Sequence, residues 1–314
     1  MAQELPNIRF HDMWDNFDPE EYFLPLISGI DTLKNHGLDD LGVDMELHSV
    51  FKKKDRSLRG RVTARLGRLV QSASKGEGER RPAFHVWYTA ENRRPSTDRF
   101  HAMLSFDKTD INRANFRVPH WWLLFPELVG GPPMGQDIKR LGAQISLTEA
   151  VEGRAVYPEP RGKFMCGFFG RMWFPRRDMV KALGALGQVD IFGPGSGKPV
   201  GTKLEVATQY RYVLCPENDL YPGYVTEKAL EAWATGAIPI YWGSDHYSDL
   251  NPKAMINLAT LDSMDELVER VRHLETNPDD AAAMRAQPIL TKAPDIHGLR
   301  SFLDTRLRDF FEHI

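Results

Sequence analysis

Short apolar or alternating runs, each bounded by polar or turn residues, recur through the first third of the chain. They fall at residues 7–10, 45–51, 84–89 and 100–106. A period of two places successive side chains on opposite faces of an extended backbone, so such runs are typical of β-strands. The pattern therefore predicts several strands in this part of the chain.

A different pattern follows two clusters of proline and glycine, at residues 130–133 and 158–162. Apolar residues at helical spacing now alternate with short apolar runs. The predicted helices are residues 176–187, 226–235 and 263–275, and the predicted strands are residues 189–192, 210–214 and 238–242. Strands that alternate with helices predict a parallel sheet covered on both faces.

The chain of 314 residues is long enough for two domains, and the change of pattern indicates where they divide. We predict an amino-terminal domain at residues 1–155 and a second domain at residues 156–295. Residues 296–314 carry leucine and phenylalanine at helical spacing, which predicts an amphipathic helix. We expect this helix to return to the amino-terminal domain.

Composition excludes several classes of protein. Forty Lys and Arg against 43 Asp and Glu leave a net charge of −3, so the balance does not call for nucleic acid as a partner. The two cysteines offer neither a disulfide framework nor a cysteine-rich zinc site. No apolar run approaches the ~20 residues that span a bilayer. We expect a protein without a membrane anchor, located in the cytoplasm, with peripheral contact at the inner membrane left open.

One segment departs from this balance. Residues 52–81 hold eleven basic residues against three acidic ones. Such a segment fits either a solvated helix and loop or a surface for an anionic lipid or a phosphorylated partner. It contains no aromatic residue for base stacking, which disfavours nucleic-acid binding.

Two loops follow predicted strands of the second domain, where ligands of parallel sheets bind. The glycine-rich loop at residues 193–201 lacks the spacing of a phosphate-binding Walker motif, and Pro199 stands where that motif needs Ser or Thr. In the second loop, Thr226 is a predicted N-cap, and Lys228 lies in the first turn of the predicted helix. A cation there is either a solvated surface lysine or a partner, with the helix amides, of a shared anion such as a diphosphate.

The second loop and the strand after it also carry a family resemblance. They resemble the signature of the α-1,3/4-fucosyltransferases, glycosyltransferase family ten, of the bacterial type without a membrane anchor. The matching residues are Glu217-Asn218, Gly223-Tyr224-Val225-Thr226-Glu227-Lys228, Ala232, Gly236, Ile238-Pro239-Ile240 and Trp242-Gly243-Ser244. Weaker likeness extends over residues 86–274 and includes residues 88–92.

The resemblance implies an α/β fold of the GT-B type, with two Rossmann-like domains facing a cleft. It also implies an inverting transfer of L-fucose from GDP-β-L-fucose to a hydroxyl of N-acetylglucosamine in a lactosamine-type glycan, with an α-1,3 linkage. The expected partners are therefore GDP-fucose and a glycan acceptor. A transferase for another GDP-activated sugar, or a nucleotide-sugar or glycan-binding protein without turnover, remains an alternative.

Individual site residues follow from the same resemblance. Glu91 is the implied catalytic base, although a loop carboxylate paired with Arg93 or Arg94 is the other interpretation. The implied donor-binding residues are Arg176 and Lys228 for the diphosphate, Glu227 for ribose or sugar hydroxyls, and Asn218 and Tyr224 for the pocket wall. No Asp-x-Asp pattern occurs in the chain, so we expect no metal and no other cofactor. His120 and His246 are expected to be structural.

Overall fold

The computed structural model describes residues 7–14, 17–51, 81–93, 99–109, 112–132, 140–154, 161–193, 196, 198, 200–244 and 246–314. These residues form two parallel sheets of five strands each. The basic segment singled out in the sequence lies, except for Arg81, outside the described residues, as does Arg94. No helix in the described part of the chain is long and apolar enough to cross a membrane.

The first sheet has the strand order β1-β2-β3-β4-β5. Its strands are β1 Ile8–His11, β2 Asp44–His48, β3 Ala83–Tyr88, β4 Ala102–Ser105 and β5 Asn115–Arg117. Buried and half-buried positions alternate along β2 and β3, so one face of the sheet joins the core and the other stays partly open. Helices α1 Glu20–Ser28 and α2 Asp31–Asn35 contribute to the same core.

The second sheet has the strand order β10-β9-β8-β6-β7. Its strands are β6 Lys163–Phe168, β7 Val189–Phe192, β8 Tyr210–Pro216, β9 Ile238–Trp242 and β10 Ile256–Asn257. The remaining helices are α3 Leu147–Glu152, α4 Arg176–Leu183, α5 Lys203–Ala207, α6 Lys228–Ala234, α7 Met264–Thr276, α8 Pro278–Ala286 and α9 Ile296–Phe311. The predicted α/β fold with two Rossmann-like units is confirmed.

The predicted elements and the observed ones differ mainly at their ends. The predicted helix at residues 176–187 stops at Leu183, before Gly184. The predicted helix at residues 226–235 begins at Lys228, and the residue before it is Glu227, without a side-chain capping bond. The prediction of Thr226 as N-cap is therefore wrong, because its hydroxyl bonds a buried carboxylate instead.

The last helix, α9, packs against elements of the first sheet's half. Leu299, Leu303 and Leu307 bury its apolar face. Arg306 donates to the carbonyl of His101 at 2.8 Å, and Asp304 accepts from the backbone N–H of Thr32 at 2.7 Å. Hydrogen bonds from side chains of α9 therefore add to its apolar contact with the first half of the chain.

Arg117, at the end of β5, joins the two halves of the molecule. Its guanidinium lies 2.5 Å from a carboxylate oxygen of Asp249, which is buried, and donates to the carbonyl of Gly223 at 3.1 Å. Gly223 has a φ of +81°, and a Cβ there would lie 2.7 Å from the carbonyl oxygen of Phe106. The close approach of these two backbones needs a glycine, and it sets the loop before α6 against the first sheet.

Candidate active site

A cleft of about 810 Å³ opens at the carboxyl ends of the parallel strands. Both halves of the chain line it. The first half supplies Phe51, Glu91 and Arg93, and the second supplies Phe168, Phe169, Gly170, Arg171, Trp173, Phe174, Arg176, Glu217, Asn218 and Lys228. Four of the six residues named from the sequence therefore share one cavity, namely Glu91, Arg176, Asn218 and Lys228.

Glu217 organises the wall of this cleft that the second half supplies. It follows β8 directly and is 1% exposed. Its carboxylate accepts hydrogen bonds from the backbone N–H of Thr226 at 2.7 Å and from the Tyr241 hydroxyl at 3.1 Å, while the Thr226 hydroxyl lies 2.9 and 2.7 Å from its two oxygens. The fourth donor is the ammonium of Lys228, at 2.9 Å. A buried charge is tolerated because these groups replace water.

Lys228 is held at the cleft by the same contacts. Its ammonium donates to Glu217 at 2.9 Å and to the Thr226 hydroxyl at 2.8 Å. Burial lowers the pKa of this lysine, but the neighbouring Glu217 and Glu227 outweigh burial and raise the pKa above its usual value. The group stays charged at neutral pH, and an ammonium has a third N–H to offer to an anion in the cleft.

Arg176 provides a second cation on the same wall. It is the first residue of α4, and its guanidinium donates to the side-chain carbonyl of Asn218 at 2.8 Å and to the backbone carbonyl of Arg171 at 3.3 Å. It also lies 5.3 Å from the centroid of the Phe169 ring. Burial lowers the pKa of Arg176, yet an arginine remains charged at neutral pH. The wall thus presents two fixed cations.

Glu91 faces these cations from the first half of the chain. It follows β3 in a turn where the Thr89 hydroxyl donates to the carbonyl of Glu91 at 2.6 Å. The hydroxyl of Tyr224, a buried residue of the second half, lies 3.5 Å from its carboxylate. Arg93 directs its guanidinium to the carbonyl of Val50 at 3.5 Å rather than to Glu91. Glu91 is therefore directed across the cleft.

Glu227 is a buried carboxylate that does not line the cleft and lies among basic side chains. Its carboxylate is 3.5 Å from Arg140 and 3.7 Å from Nε2 of His120. Burial raises the pKa of Glu227, but Lys228 and Arg140 outweigh burial and hold it well below its usual range. Burial lowers the pKa of His120 to about 4, so this imidazole is neutral at pH 7. The contact of Glu227 with ribose or sugar hydroxyls stays a prediction.

Nine of the thirteen residues that line the cleft were not named from the sequence as site residues, and three of them stand out. Glu217 lies inside the quoted motif, but its role depends on Thr226 and Tyr241, which approach it only in the fold. Trp173 and Phe174 are 67% and 70% exposed at the rim. An apolar Met-Trp-Phe run without helical or strand period, directly before Pro175, was the available signal for this rim.

Comparison with known proteins finds a family match in the second half of the chain. Residues 168–283 match the family model described as glycosyltransferase family 10 (fucosyltransferase), C-terminal part. The match includes Arg176, Glu217, Asn218 and Lys228. Residues 168–283 are therefore similar to the C-terminal part of the family 10 glycosyltransferases. The expected resemblance to the fucosyltransferase family is therefore confirmed.

Individual proteins similar to this chain include fucosyltransferases. The alpha-(1,3)-fucosyltransferase of Helicobacter pylori is 29% identical over 214 residues, which are 62% of this chain and 45% of that protein. The human 4-galactosyl-N-acetylglucosaminide 3-alpha-L-fucosyltransferase is 35% identical over 115 residues, which are 33% of this chain and 31% of that protein. The chain thus spans less than half the length of these curated relatives.

A solved structure extends the likeness to the whole fold. The crystal structure of an alpha1,3-fucosyltransferase with GDP-fucose superposes with a TM-score of 0.64 at 21% identity, covering 96% of this chain and 89% of that one. The likeness covers both sheets and shows a shared GT-B fold.

The cleft itself offers no ready metal site within the part of the chain that the structure describes. Among the described residues, the group of histidine and acidic side chains arranged to hold an ion is His11, Glu46 and His48, on the first sheet. The cations of the cleft wall are side chains instead.

The bond between Glu217 and Lys228 generates a stability prediction. Lys228→Met removes the cation beside a buried carboxylate, and Glu217→Gln removes the carboxylate beside a cation, so each should lower the free energy of unfolding by about 3 kcal/mol. The double variant should cost less than the sum, by about 1 kcal/mol or more. Urea unfolding of the four proteins measures this coupling.

The matched control for this cycle is Arg270→Met, which removes an exposed partner of Glu266 and should cost less than about 0.5 kcal/mol. Additive effects of the Glu217 and Lys228 substitutions would show that the two side chains do not stabilise one another.

Proposed function

We propose that the protein is an inverting α-1,3-fucosyltransferase. It transfers L-fucose from GDP-β-L-fucose to a hydroxyl of N-acetylglucosamine in a lactosamine-type glycan. The observation that carries this proposal is the placement of one carboxylate, Glu91, opposite two cations, Arg176 and Lys228, in a single cleft between the two halves. The names of the relatives support the choice of sugar and acceptor.

The two cations suit the departing diphosphate. As the bond between the fucose C1 and the β-phosphate oxygen breaks, negative charge builds on that oxygen, and fixed cations stabilise charge that develops in the transition state. Lys228 and Arg176 are held in place by Glu217 and Asn218, so little reorganisation is needed when the donor binds. In this mechanism the two side chains supply the positive charge at the diphosphate, so no metal ion is required there.

Glu91 suits the opposite side of the reaction. The acceptor hydroxyl attacks C1 while the phosphate leaves from the other face, and its proton passes to the Glu91 carboxylate. One displacement at C1 turns a β-linked donor into an α-linked product. The Tyr224 hydroxyl, 3.5 Å from Glu91, orients the carboxylate from the donor half. The exposed rings of Trp173 and Phe174 add apolar faces on which a sugar or a base can stack.

The role of Glu91 is tested by Glu91→Gln, which keeps the size of the side chain and removes its ability to take a proton. We expect kcat to fall on the order of 10² to 10⁴ while the affinity for GDP-fucose stays within about twofold. Donor consumption and calorimetry measure the two quantities, with Glu312→Gln as an exposed control outside the cleft.

Retained kcat in Glu91→Gln would exclude this residue as the base. Nucleotide binding without donor consumption by the unaltered protein, for any GDP-activated sugar or acceptor, would exclude an enzyme. If the protein consumed a different GDP-activated sugar instead of GDP-fucose, the proposed site would stand and the proposed donor would be wrong.

Metal independence is tested separately, because side-chain cations take the place of an ion in the proposed mechanism. We expect transfer in the presence of EDTA to stay within about twofold of its untreated rate. Loss of more than about tenfold, restored by magnesium or manganese, would reveal a divalent ion at the diphosphate.

A further inference from the structure

The open face of the first sheet carries a cluster of imidazoles that the proposed transfer does not use. The register pairs His11 with His48 across β1 and β2, and Glu46 with His85 across β2 and β3. Residues 46 and 48 are two apart on one strand, so Glu46 and His48 share a face. This face is the one opposite the buried Met45 and Leu47. The sheet thus gathers four potential ligands from three strands.

Their donor atoms converge on one carboxylate oxygen. Oε2 of Glu46 lies 3.5 Å from Nε2 of His11, 3.6 Å from Nε2 of His48 and 3.5 Å from Nδ1 of His85. The last two nitrogens are 3.1 Å apart. Bonds of about 2.0 to 2.1 Å to a tetrahedral zinc ion place neighbouring ligand atoms about 3.3 Å apart. Oε2 of Glu46 is close to that distance from both His11 and His48, and the ligand atoms of all three residues lie within 4.8 Å of one another.

Surrounding contacts hold the ligands in this orientation. Arg9 donates to the other oxygen of Glu46, Oε1, at 2.8 Å and to Asp44 at 2.7 Å, which directs Oε2 toward the imidazoles. The rings of His11 and His48 stack with their centroids 4.6 Å apart. Outer contacts of this kind are typical of metal ligands, which need a fixed orientation.

The nitrogen of His11 gives a second, independent observation. Nε2 is shut off from solvent and has no hydrogen-bond partner among the described residues, although it points toward Glu46. A buried polar atom without a hydrogen bond is costly, and a metal bond would satisfy it. The side chains of the cluster are 18% to 39% exposed, so an ion can enter from solvent.

We propose that His11, Glu46 and His48 bind one divalent transition-metal ion, with His85 beside them. Two imidazoles and one carboxylate suit zinc and its neighbours cobalt, nickel and copper, whereas magnesium and calcium prefer sets of oxygen ligands. The ion joins β1 and β2. None of these side chains lines the cleft, so the proposal stands independently of the transferase activity.

The position of the site gives the ion a structural role. The backbone N–H of Ser49 donates to the carbonyl of His11 at 3.0 Å, and that of Phe51 donates to the carbonyl of Asp12 at 2.8 Å. Phe51 lines the cleft. Fixing His11 and His48 therefore fixes the start of the segment that ends at Phe51 in the cleft wall.

The test uses the whole chain without a histidine tag, freed of metal by dialysis against a chelator. Calorimetric titration with zinc should show one site per chain with a Kd in the micromolar range or below, and cobalt should give the visible absorption of a tetrahedral complex. Zinc should also raise the Tm. Magnesium at the same concentration should neither bind at this site nor raise the Tm.

Three variants assign the site. His11→Ala and His48→Ala should weaken zinc binding at least about a hundredfold and abolish the cobalt absorption. His297→Ala, an exposed histidine of α9, should bind zinc as the unaltered protein does. The metal-free Tm of each variant shows whether it folds.

Two results would overturn the proposal. One is the absence of saturable binding with one ion per chain. The other is zinc affinity that His11→Ala and His48→Ala leave unchanged, which would place the ion elsewhere. A folded His48→Ala with lost zinc binding and normal GDP affinity supports the proposal and separates it from the transferase mechanism.

Discussion

The wall of the cleft that the second half supplies depends on one buried carboxylate, that of Glu217. A charge at 1% exposure is stable only if donors surround it, and Thr226, Tyr241 and Lys228 supply them. These partners lie before α6, on β9 and at the first residue of α6, so one side chain ties together the ends of two strands and the start of a helix. The ammonium of Lys228 reaches the cleft because Glu217 fixes it there.

The second constraint is the contact between the halves. Arg117 binds Asp249 and the carbonyl of Gly223, and the backbone at Gly223 approaches Phe106 too closely for a side chain. Tyr224 follows directly and reaches Glu91 across the cleft. The same loop thus positions a carboxylate of one half against the cations of the other. In the proposed reaction, this arrangement brings an acceptor hydroxyl and a diphosphate to opposite sides of one sugar carbon.

Local sequence patterns predicted the second half well, because alternating strand and helix periods depend on neighbouring residues. The same patterns placed Lys228 in the first turn of a helix, whereas Arg176 was named from the family resemblance. The sequence did not predict β5, which has only three residues, or β6, in which Gly167 weakens the apolar strand pattern. Local patterns could not predict contacts between residues distant in the sequence. The Thr226 hydroxyl bonds Glu217 instead of capping the helix, and Glu227 lies beside Arg140 and His120. The cluster of His11, Glu46 and His48 could not be predicted either, because these side chains come together only through the pairing of β1 with β2.

The central claim is that Lys228, held by Glu217, receives the diphosphate of the donor. Calorimetric titration of Lys228→Met with GDP and with guanosine tests it most directly, since guanosine keeps the base and ribose and lacks the phosphates. The account predicts that GDP binding weakens by about 1.5 to 3 kcal/mol, about ten- to a hundredfold, while guanosine binding is unchanged. Unchanged GDP affinity in a folded Lys228→Met protein would contradict it.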